Sequence, residues 1–161
     1  MRSRTSFVTA LVWGGLSFAT QAHASSAQIS DLADVDFGTI ISSVDQTNSQ
    51  NVSICSFQNK PHATAYSVTA VGSGPGGAFE LSNGAASLPY DVQWSDSTSQ
   101  TGGTMLQAAV AAAGFGNGAD GFQCSAQPDT ASLTVTVRAA SLTSAMAGSY
   151  SGTLQITIVP Q

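Results

Sequence analysis

The sequence predicts an all-β protein folded as a β-sandwich, and two observations support this prediction. Apolar residues recur at every second position through most of the chain, which is the period of a half-buried strand. The candidate strands are short, about seven or eight in number, and are separated by segments rich in Gly, Ser, Asn and Pro. Short strands at this spacing are typical of two antiparallel sheets packed face to face.

The N-terminus predicts a secretory signal peptide, residues 1–24. A basic start at residues 1–4 precedes an apolar run at residues 7–18, and residues 21–24 supply the small side chains of a cleavage site. We expect cleavage after Ala24. The apolar run is shorter than the roughly 20 residues that a spanning helix needs, so a membrane anchor is disfavoured. The mature chain has no later segment that predicts a membrane span.

The charge of the mature chain excludes two classes of partner. Removal of the signal peptide leaves Lys60 and Arg138 against nine acidic residues. Nucleic acids and anionic membrane surfaces both require a basic patch, so we expect neither as a partner. The remaining length is that of one domain.

The two cysteines, Cys55 and Cys124, predict a disulfide because the chain is exported. In the chain-entropy account, a disulfide that closes a loop of about 70 residues stabilises the folded state by roughly 4 kcal/mol. Both cysteines lie in segments with a strand pattern, so we expect the bond to join two distant strands. A zinc site needs more ligands than this chain offers, since the mature chain's single histidine, His62, lies in a turn-like segment. No metal or other cofactor is expected.

Five candidate strands follow one another from residue 35 onward. Each alternates apolar and polar side chains, and they span residues 35–41, 51–57, 65–71, 77–81 and 88–94. In the first, Val35 and Phe37 face one way. Asn83-Gly84, directly after the fourth, is a strong tight-turn signal.

The next part of the chain is less regular. Residues 105–113 are mostly alanine, which suits either a short helix or a strand, or irregular backbone. Glycines bracket this stretch as loops bracket a strand, so we favour strand or irregular backbone. Residues 122–124 and 131–138 are further candidate strands.

The chain ends on an apolar strand, residues 150–159. Tyr150, Leu154, Ile156 and Ile158 lie on one face of it, and only two residues follow. Such a strand in a secreted protein has to pair with an earlier strand of its own chain or with another chain. That choice largely decides the function.

Motifs for catalysis or ligand binding are nearly absent. Residues 72–77 match a G-x-G-x-x-G pattern, but a strand rather than a helix is predicted after them, so no helix N-terminus is available for a phosphate. Residues 148–152 place Tyr150 where a G-x-S-x-G motif needs serine. Acidic residues near the mature start lack the spacing of a calcium loop. The aromatic residues Tyr66, Tyr90 and Trp94 alternate with aliphatic ones, which favours a core over a sugar-binding face. No enzyme is predicted.

The order of several short motifs resembles the spore coat protein U domain family, which includes pilins of archaic chaperone-usher fimbriae. The resemblance covers about residues 35–159 and depends on the order of its motifs. They are residues 36–39, Cys55, and residues 66–69, 77–84, 88–92 and 147–154. The last of these, with its G-x-Y-x-G-x-L pattern, is the most specific.

This resemblance implies an immunoglobulin-like sandwich that is incomplete because it lacks its last strand. In such pilins a periplasmic chaperone fills the groove first, and the N-terminal extension of the next pilus subunit then replaces it by donor-strand exchange. The four apolar residues of the terminal strand, Tyr150, Leu154, Ile156 and Ile158, are then one wall of the partner-strand groove. The implied partners are the chaperone, an usher and neighbouring pilus subunits, and the implied location is a cell-surface fimbria that serves adhesion or biofilm formation.

The mature chain divides into a short N-terminal extension, residues 25–34, and a pilin-like domain, residues 35–161. The extension offers Ile29 and Leu32 as donor-strand candidates, but they are out of phase and interrupted by acidic residues. This pattern favours a tip or minor subunit, or a self-sufficient relative, over a polymerising major pilin. An alternative hypothesis is a self-complete secreted sandwich that binds a carbohydrate or a surface ligand through exposed aromatics. A third is a small secreted hydrolase.

Overall fold

The structure is a computed structural model that describes residues 26–38, 43–57, 65–119 and 124–161. The predicted signal peptide, Lys60 and His62 lie outside the described residues. The described residues are mostly β-structure, with antiparallel sheets packed as a sandwich, so the all-β prediction is confirmed.

The described residues form ten strands, one short α-helix and two 3-10 helices. The strands are β1 (Ser26–Ser30), β2 (Gln46–Phe57), β3 (Tyr66–Gly72), β4 (Glu80–Ser82), β5 (Ser87–Pro89), β6 (Asp91–Ser95), β7 (Thr104–Met105), β8 (Ala111–Phe115), β9 (Ala131–Val137) and β10 (Leu154–Pro160). The α-helix, α1, spans Ala139–Thr143, and the 3-10 helices span Pro75–Gly77 and Cys124–Ala126.

Two sheets face each other, and a small hairpin flanks them. The larger sheet has the strand order β1-β2-β9-β6-β7, and the smaller has the order β10-β3-β8. The hairpin consists of β4 and β5. The long strand β2 pairs with β9 along its first part, from Gln46 to Val52, and with β1 along its second, from Ser53 to Phe57.

The core lies between the two sheets and is built around three aromatic rings. Tyr66 and Trp94 are fully buried, and their rings meet edge to face with centroids 6.4 Å apart. Phe115 stacks on Tyr66 at 5.6 Å. Branched aliphatic side chains from β2, β3, β6 and β9 fill the space around the rings; they are Val52, Ile54, Val68, Val92, Leu133, Val135 and Val137. Trp94 and the two buried tyrosines, Tyr66 and Tyr90, are therefore core residues, as their alternation predicts.

The first predicted strand is the main error in the element assignment. Residues 35–38 are not in a strand, residues 39–42 lie outside the described part, and the first strand is β1, inside the predicted extension. Val35 and Phe37 do pack against the core. Just before these residues, a side chain makes the backbone hydrogen bonds that a paired strand would make. Gln50 Oε1 accepts from the Ala33 N–H at 2.8 Å, and Gln50 Nε2 donates to the Ala33 carbonyl at 3.1 Å.

Other segments differ in their limits. The predicted strand at residues 88–94 divides at Tyr90, because β5 pairs with β4 whereas β6 pairs with β9. The alanine-rich residues 105–113 contain no helix, which agrees with the favoured prediction. Cys124 begins a 3-10 helix rather than ending a strand, and α1 was not predicted.

Candidate partner-strand groove

The last strand, β10, forms one edge of the smaller sheet. It pairs antiparallel with β3 over its whole length, from Leu154 opposite Gly72 to Pro160 opposite Tyr66. In the part of the chain that the structure describes, no other strand pairs with β10. Its second side is therefore an open edge.

The backbone groups at this open edge can be assigned from the register. The Gln161 N–H donates to the Ala65 carbonyl at 3.0 Å, so residues 161 and 65 form a hydrogen-bonded pair. Hydrogen-bonded and non-bonded pairs alternate along an antiparallel ladder. Residues 155, 157 and 159 therefore bond β3, whereas Leu154, Ile156 and Ile158 direct their N–H and C=O groups to the open side.

Proline at residue 160 agrees with this assignment. Pro160 is one of the residues whose backbone nitrogen points away from β3, and proline has no N–H to leave unpaired there. Within sheets, proline is confined to such edge positions. The even-numbered residues of β10 are thus the ones that a further strand would pair with.

The same residues supply the apolar face of β10. The side chains of Leu154, Ile156 and Ile158 are half-buried and pack against the core, whereas Gln155 and Thr157 are exposed. The open edge therefore combines unpaired backbone groups with apolar side chains that lie directly beneath them.

A groove of 990 Å³ lies beside the start of β10. One wall consists of residues 32–38 and the other of residues 145–154, and six mostly buried side chains form much of the floor. The floor residues are Leu81, Leu88, Tyr90, Leu133, Val135 and Leu142. This depression is apolar at its base and open to solvent between its walls.

The wall at residues 32–38 alternates in a way that resembles a strand. Val35 and Phe37 are half-buried against the core, whereas Asp34 and Asp36 are exposed. The Asp36 carboxylate accepts a hydrogen bond from the Gly38 N–H at 2.7 Å. No lysine or arginine occurs among the described residues that line the groove, so its rim is acidic.

The structure brings together part of the predicted groove residues. Tyr150 and Leu154 line the groove, and so does Leu32 from the predicted extension. Ile156 and Ile158 lie further along β10, and Ile29 lies in β1, whose Cα atoms come within 8 Å of those of β10. The groove therefore lies at the Leu154 end of β10.

Tyr150 is not part of β10, although the sequence pattern places it there. Residues 151–153 bind the β3–β4 region instead: Ser151 exchanges two backbone hydrogen bonds with Ser82, at 2.8 and 3.0 Å, and the Thr153 N–H donates to Ser73 Oγ. Tyr150 is held locally, since its hydroxyl donates to the Met146 carbonyl at 3.0 Å. Residues 145–149 were not predicted to line the groove, because they carry no strand period, although residues 147–149 belong to the family motif.

The disulfide between Cys55 and Cys124 is present, with the two Cα atoms 5.4 Å apart. Both cysteines are buried. The bond joins β2 to a 3-10 helix, not two strands as the sequence analysis expected. It lies next to β1, since Gln28 is the register partner of Cys55 and its side-chain oxygen accepts from the Cys124 N–H at 3.4 Å.

The electrostatic features lie outside the groove. Burial raises the pKa of Tyr66 to about 12, although the Trp94 Nε1–H that donates to its oxygen at 3.3 Å acts in the opposite direction. The Ala139 N–H and Arg138 lower the pKa of Asp45, and Arg138 also contacts Asp91. The described residues contain no cluster of three potential metal ligands and no helix long and apolar enough to cross a bilayer.

Comparisons with known proteins agree with the sandwich fold. The Spore Coat Protein U domain family matches residues 13–157. A solved structure described as a chaperone–tip adhesin complex in CFA/I fimbriae biogenesis has a similar fold, with a TM-score of 0.53 and 16% sequence identity. The match covers 84% of this chain and 41% of the other chain, so this chain spans about two fifths of that length. No curated protein matches the sequence.

Proposed function

The chain belongs to the Spore Coat Protein U domain family, and we propose that it is a structural subunit of surface fimbriae assembled by donor-strand complementation. In this function a strand from another polypeptide pairs with the open edge of β10 and completes an immunoglobulin-like sandwich. The subunit serves adhesion or biofilm formation through physical assembly and catalyses no reaction.

The observation that carries the proposal is the open edge of β10 beside an apolar groove. Addition of a strand satisfies the free backbone groups of Leu154, Ile156 and Ile158, and this mode of recognition takes its affinity from main-chain hydrogen bonds. Each large apolar side chain that the added strand covers contributes roughly 1.5–3 kcal/mol. An edge that is both unpaired and apolar otherwise favours aggregation.

The groove fits a strand that enters at the Leu154 end. The open volume lies between residues 32–38 and 145–154, where incoming side chains can reach the apolar floor. A strand that pairs with all of β10 also has to lie next to β1, whose Cα atoms come within 8 Å of those of β10. Complementation along the whole of β10 therefore requires β1 and β10 to move apart where they approach each other.

The proposed partners follow from this mode of assembly. A periplasmic chaperone pairs with the edge first. At the cell surface, with an usher as a further partner, a strand of a neighbouring pilus subunit then replaces the chaperone. Three features support export through the periplasm: the family, the disulfide and the predicted signal peptide. The fold of a chaperone–tip adhesin complex is a supporting analogy.

The alternative, a self-complete sandwich that binds sugars through aromatic residues, has no specific observation in its favour. That hypothesis needs exposed rings, and Tyr66, Tyr90 and Trp94 are buried in the core. The aromatic rings on which a sugar could stack are therefore not accessible to solvent.

Co-expression with a chaperone encoded beside the gene tests the proposed function. Leu154→Asp and Ile156→Asp place a charge on the inward face of β10, whereas the matched control Thr157→Asp places the same charge on the exposed face. We expect the wild-type chain and the control to co-purify with the tagged chaperone and the two inward variants to be lost from it. Circular dichroism of each chain checks that β-structure persists. Undiminished co-purification of both inward variants would refute the groove assignment.

A further inference from the structure

We propose that this subunit accepts a partner strand but does not supply one, because its N-terminal segment is a strand of its own larger sheet. The inference depends on the proposed function and deepens it. A subunit of this kind ends a polymer or joins it at one site, and it does not form a homopolymer.

The pairing of β1 is the first reason. All five residues of β1 have register partners in β2, from Ser26 opposite Phe57 to Ser30 opposite Ser53. The Ile29 side chain is half-buried against the core. A segment that is paired and packed in its own domain is not free to enter the groove of a neighbour.

Contacts around the disulfide hold the middle of β1. Gln28 lies opposite Cys55, and the disulfide joins Cys55 to Cys124. The backbone N–H of Cys124 donates to the Gln28 side chain at 3.4 Å, and the Cys124 Sγ lies 3.5 Å from the Gln28 carbonyl oxygen. Release of β1 would therefore break the contacts of Gln28 with Cys124 as well as the backbone hydrogen bonds between β1 and β2.

The residues on either side of β1 leave no length for a donor strand. The following segment is tied to the domain by the double hydrogen bond between Ala33 and Gln50 and by the packing of Val35 and Phe37. With the predicted cleavage after Ala24, Ser25 alone precedes β1. A strand that covers the seven residues of β10 needs about seven residues of its own, at roughly 3.3 Å each.

The charge of the groove also disfavours a second copy of this chain as donor. Asp34 and Asp36 lie on the groove wall, and no basic residue lines the groove in the described part of the chain. Residues 25–34 carry Asp31 and Asp34 and no lysine or arginine. Like charges would thus face each other in a homopolymer, so the favoured donor is a different polypeptide whose outward positions are neutral or basic.

An assembly assay with an engineered donor separates this inference from the proposed function. Chaperone-bound wild-type subunit is incubated alone and its mass is followed by size-exclusion chromatography with light scattering. A variant carries an added segment of about ten residues, alternating Val and Thr with one Lys, joined to Ser26 by a Gly-Ser linker. We expect the wild-type subunit to form no oligomers and the variant to form them.

Each outcome of this assay has a distinct meaning. If the wild-type subunit polymerises and releases chaperone, the subunit does supply a strand. The inference is then overturned and the proposed function stands. If the extended variant stays monomeric and also retains its chaperone, the groove does not accept a strand and the proposed function itself is overturned. The intact mass of the exported subunit is a further check, because a start that leaves seven or more residues before Ser26 would overturn the inference.

A stability measurement distinguishes an intramolecular β1 from a free donor arm. The measurement uses a subunit whose edge is closed by a strand appended after Gln161 through a tight turn. We expect Ile29→Asp to lower the Tm of this protein by about 5–10 °C, whereas the matched control Ser26→Asp, at an exposed position of the same strand, leaves it unchanged. An unchanged Tm for Ile29→Asp would show that β1 is not part of the domain and would overturn the inference.

Discussion

At the residue scale, the core depends on a buried pair of polar aromatic groups. Trp94 Nε1 donates to the hydroxyl oxygen of Tyr66 at 3.3 Å, and both residues are fully buried. A buried donor that loses its partner costs about 1–3 kcal/mol. The alternation of aromatic residues predicts their burial from sequence, but not this hydrogen bond, because strand period does not specify which side chains meet across two sheets.

Removal of the Tyr66 hydroxyl is therefore expected to destabilise the domain. Tyr66→Phe keeps the ring and leaves the Trp94 N–H without its acceptor, so the free energy of unfolding should fall by about 1–3 kcal/mol. Urea unfolding monitored by tryptophan fluorescence measures the change. The matched control is Tyr150→Phe, which removes a hydroxyl bonded at an exposed position and should change stability by less. Equal effects of both substitutions would contradict the role of the buried pair.

A second residue-scale feature is the close approach of Gly152 to the β3–β4 region. A Cβ atom at this position would lie 3.0 Å from the Glu80 carbonyl oxygen and 2.7 Å from Ser73 Oγ. The backbone oxygen cannot move aside without shifting β4. This contact helps explain why β10 begins at Leu154 and not at Tyr150, as alternation alone suggests.

The substitution Gly152→Ala should consequently shift the groove wall and weaken the fold. We expect a loss of about 1–3 kcal/mol in unfolding free energy, the usual cost of overpacking, together with weaker chaperone binding. Thermal or urea unfolding and chaperone co-purification measure the two effects. Gly116→Ala is the matched control, since a Cβ atom there meets nothing within 4 Å. A Gly152→Ala protein as stable as the control would refute this account of the strand start.

At the element scale, the sequence predicts strands better than it predicts pairing. The alternating segments become β2, β3, β6, β9 and β10 with shifts of a few residues at their ends. The strand β1 was not predicted, because its five residues contain one large apolar side chain, Ile29. Its strand conformation comes from the free edge of β2, which is a tertiary effect. Residues 35–38 were predicted to begin a strand but are not in one, and just before them the Gln50 side chain, not a neighbouring strand, bonds the backbone of Ala33.

Ion pairs join the ends of three elements on the surface. Asp45, just before β2, accepts from the Ala139 N–H at 2.8 Å and from Arg138 at 3.0 Å, and Arg138 also donates to Asp91 at 2.6 Å. The Ala139 hydrogen bond and Arg138 hold the pKa of Asp45 below its ordinary value of 3.8. A carboxyl group with a lowered pKa stabilises the fold above its ordinary pKa, and this stabilisation is lost as the pH falls through the folded-state pKa.

Asp45→Ala should therefore lower the Tm near neutral pH and have less effect in acid. We expect the difference in Tm between wild type and variant to shrink progressively as the pH falls below about 3.8. Thermal unfolding over a pH series measures it, and high salt should also reduce the difference because the pair is exposed. A difference that stays constant down to the lowest pH would contradict the ionic explanation.

At the scale of the whole molecule, the disulfide links sequence-distant parts of the chain. The cysteine count in an exported chain predicts the bond, and 69 residues separate Cys55 from Cys124. The 3-10 conformation at Cys124 was not predictable, because Cys124 ends a short segment that alternates like a strand. That the sandwich lacks a strand beside β10 is an expectation from the family resemblance alone, since an alternating terminal strand by itself does not reveal whether its own chain covers it.

Loss of the disulfide should destabilise the whole domain. Closure of a loop of this length contributes roughly 4 kcal/mol in the chain-entropy account. We expect the free energy of unfolding of the double variant Cys55→Ser/Cys124→Ser, measured in urea, to fall by about that amount. Reductant should lower the free energy of unfolding of the wild type by a similar amount and leave that of the variant unchanged. A variant as stable as the oxidised wild type would contradict this role.

Amide hydrogen exchange along β10, followed residue by residue by NMR, tests the central claim most directly. In the subunit without a partner strand, the N–H groups of Leu154, Ile156 and Ile158 should exchange fast, whereas those of Gln155, Thr157 and Val159 should be protected by β3. Closing the edge with an appended strand should protect the first set and leave the second unchanged. Equal protection of both sets in the lone subunit would show that the chain closes its own edge, and it would contradict the account.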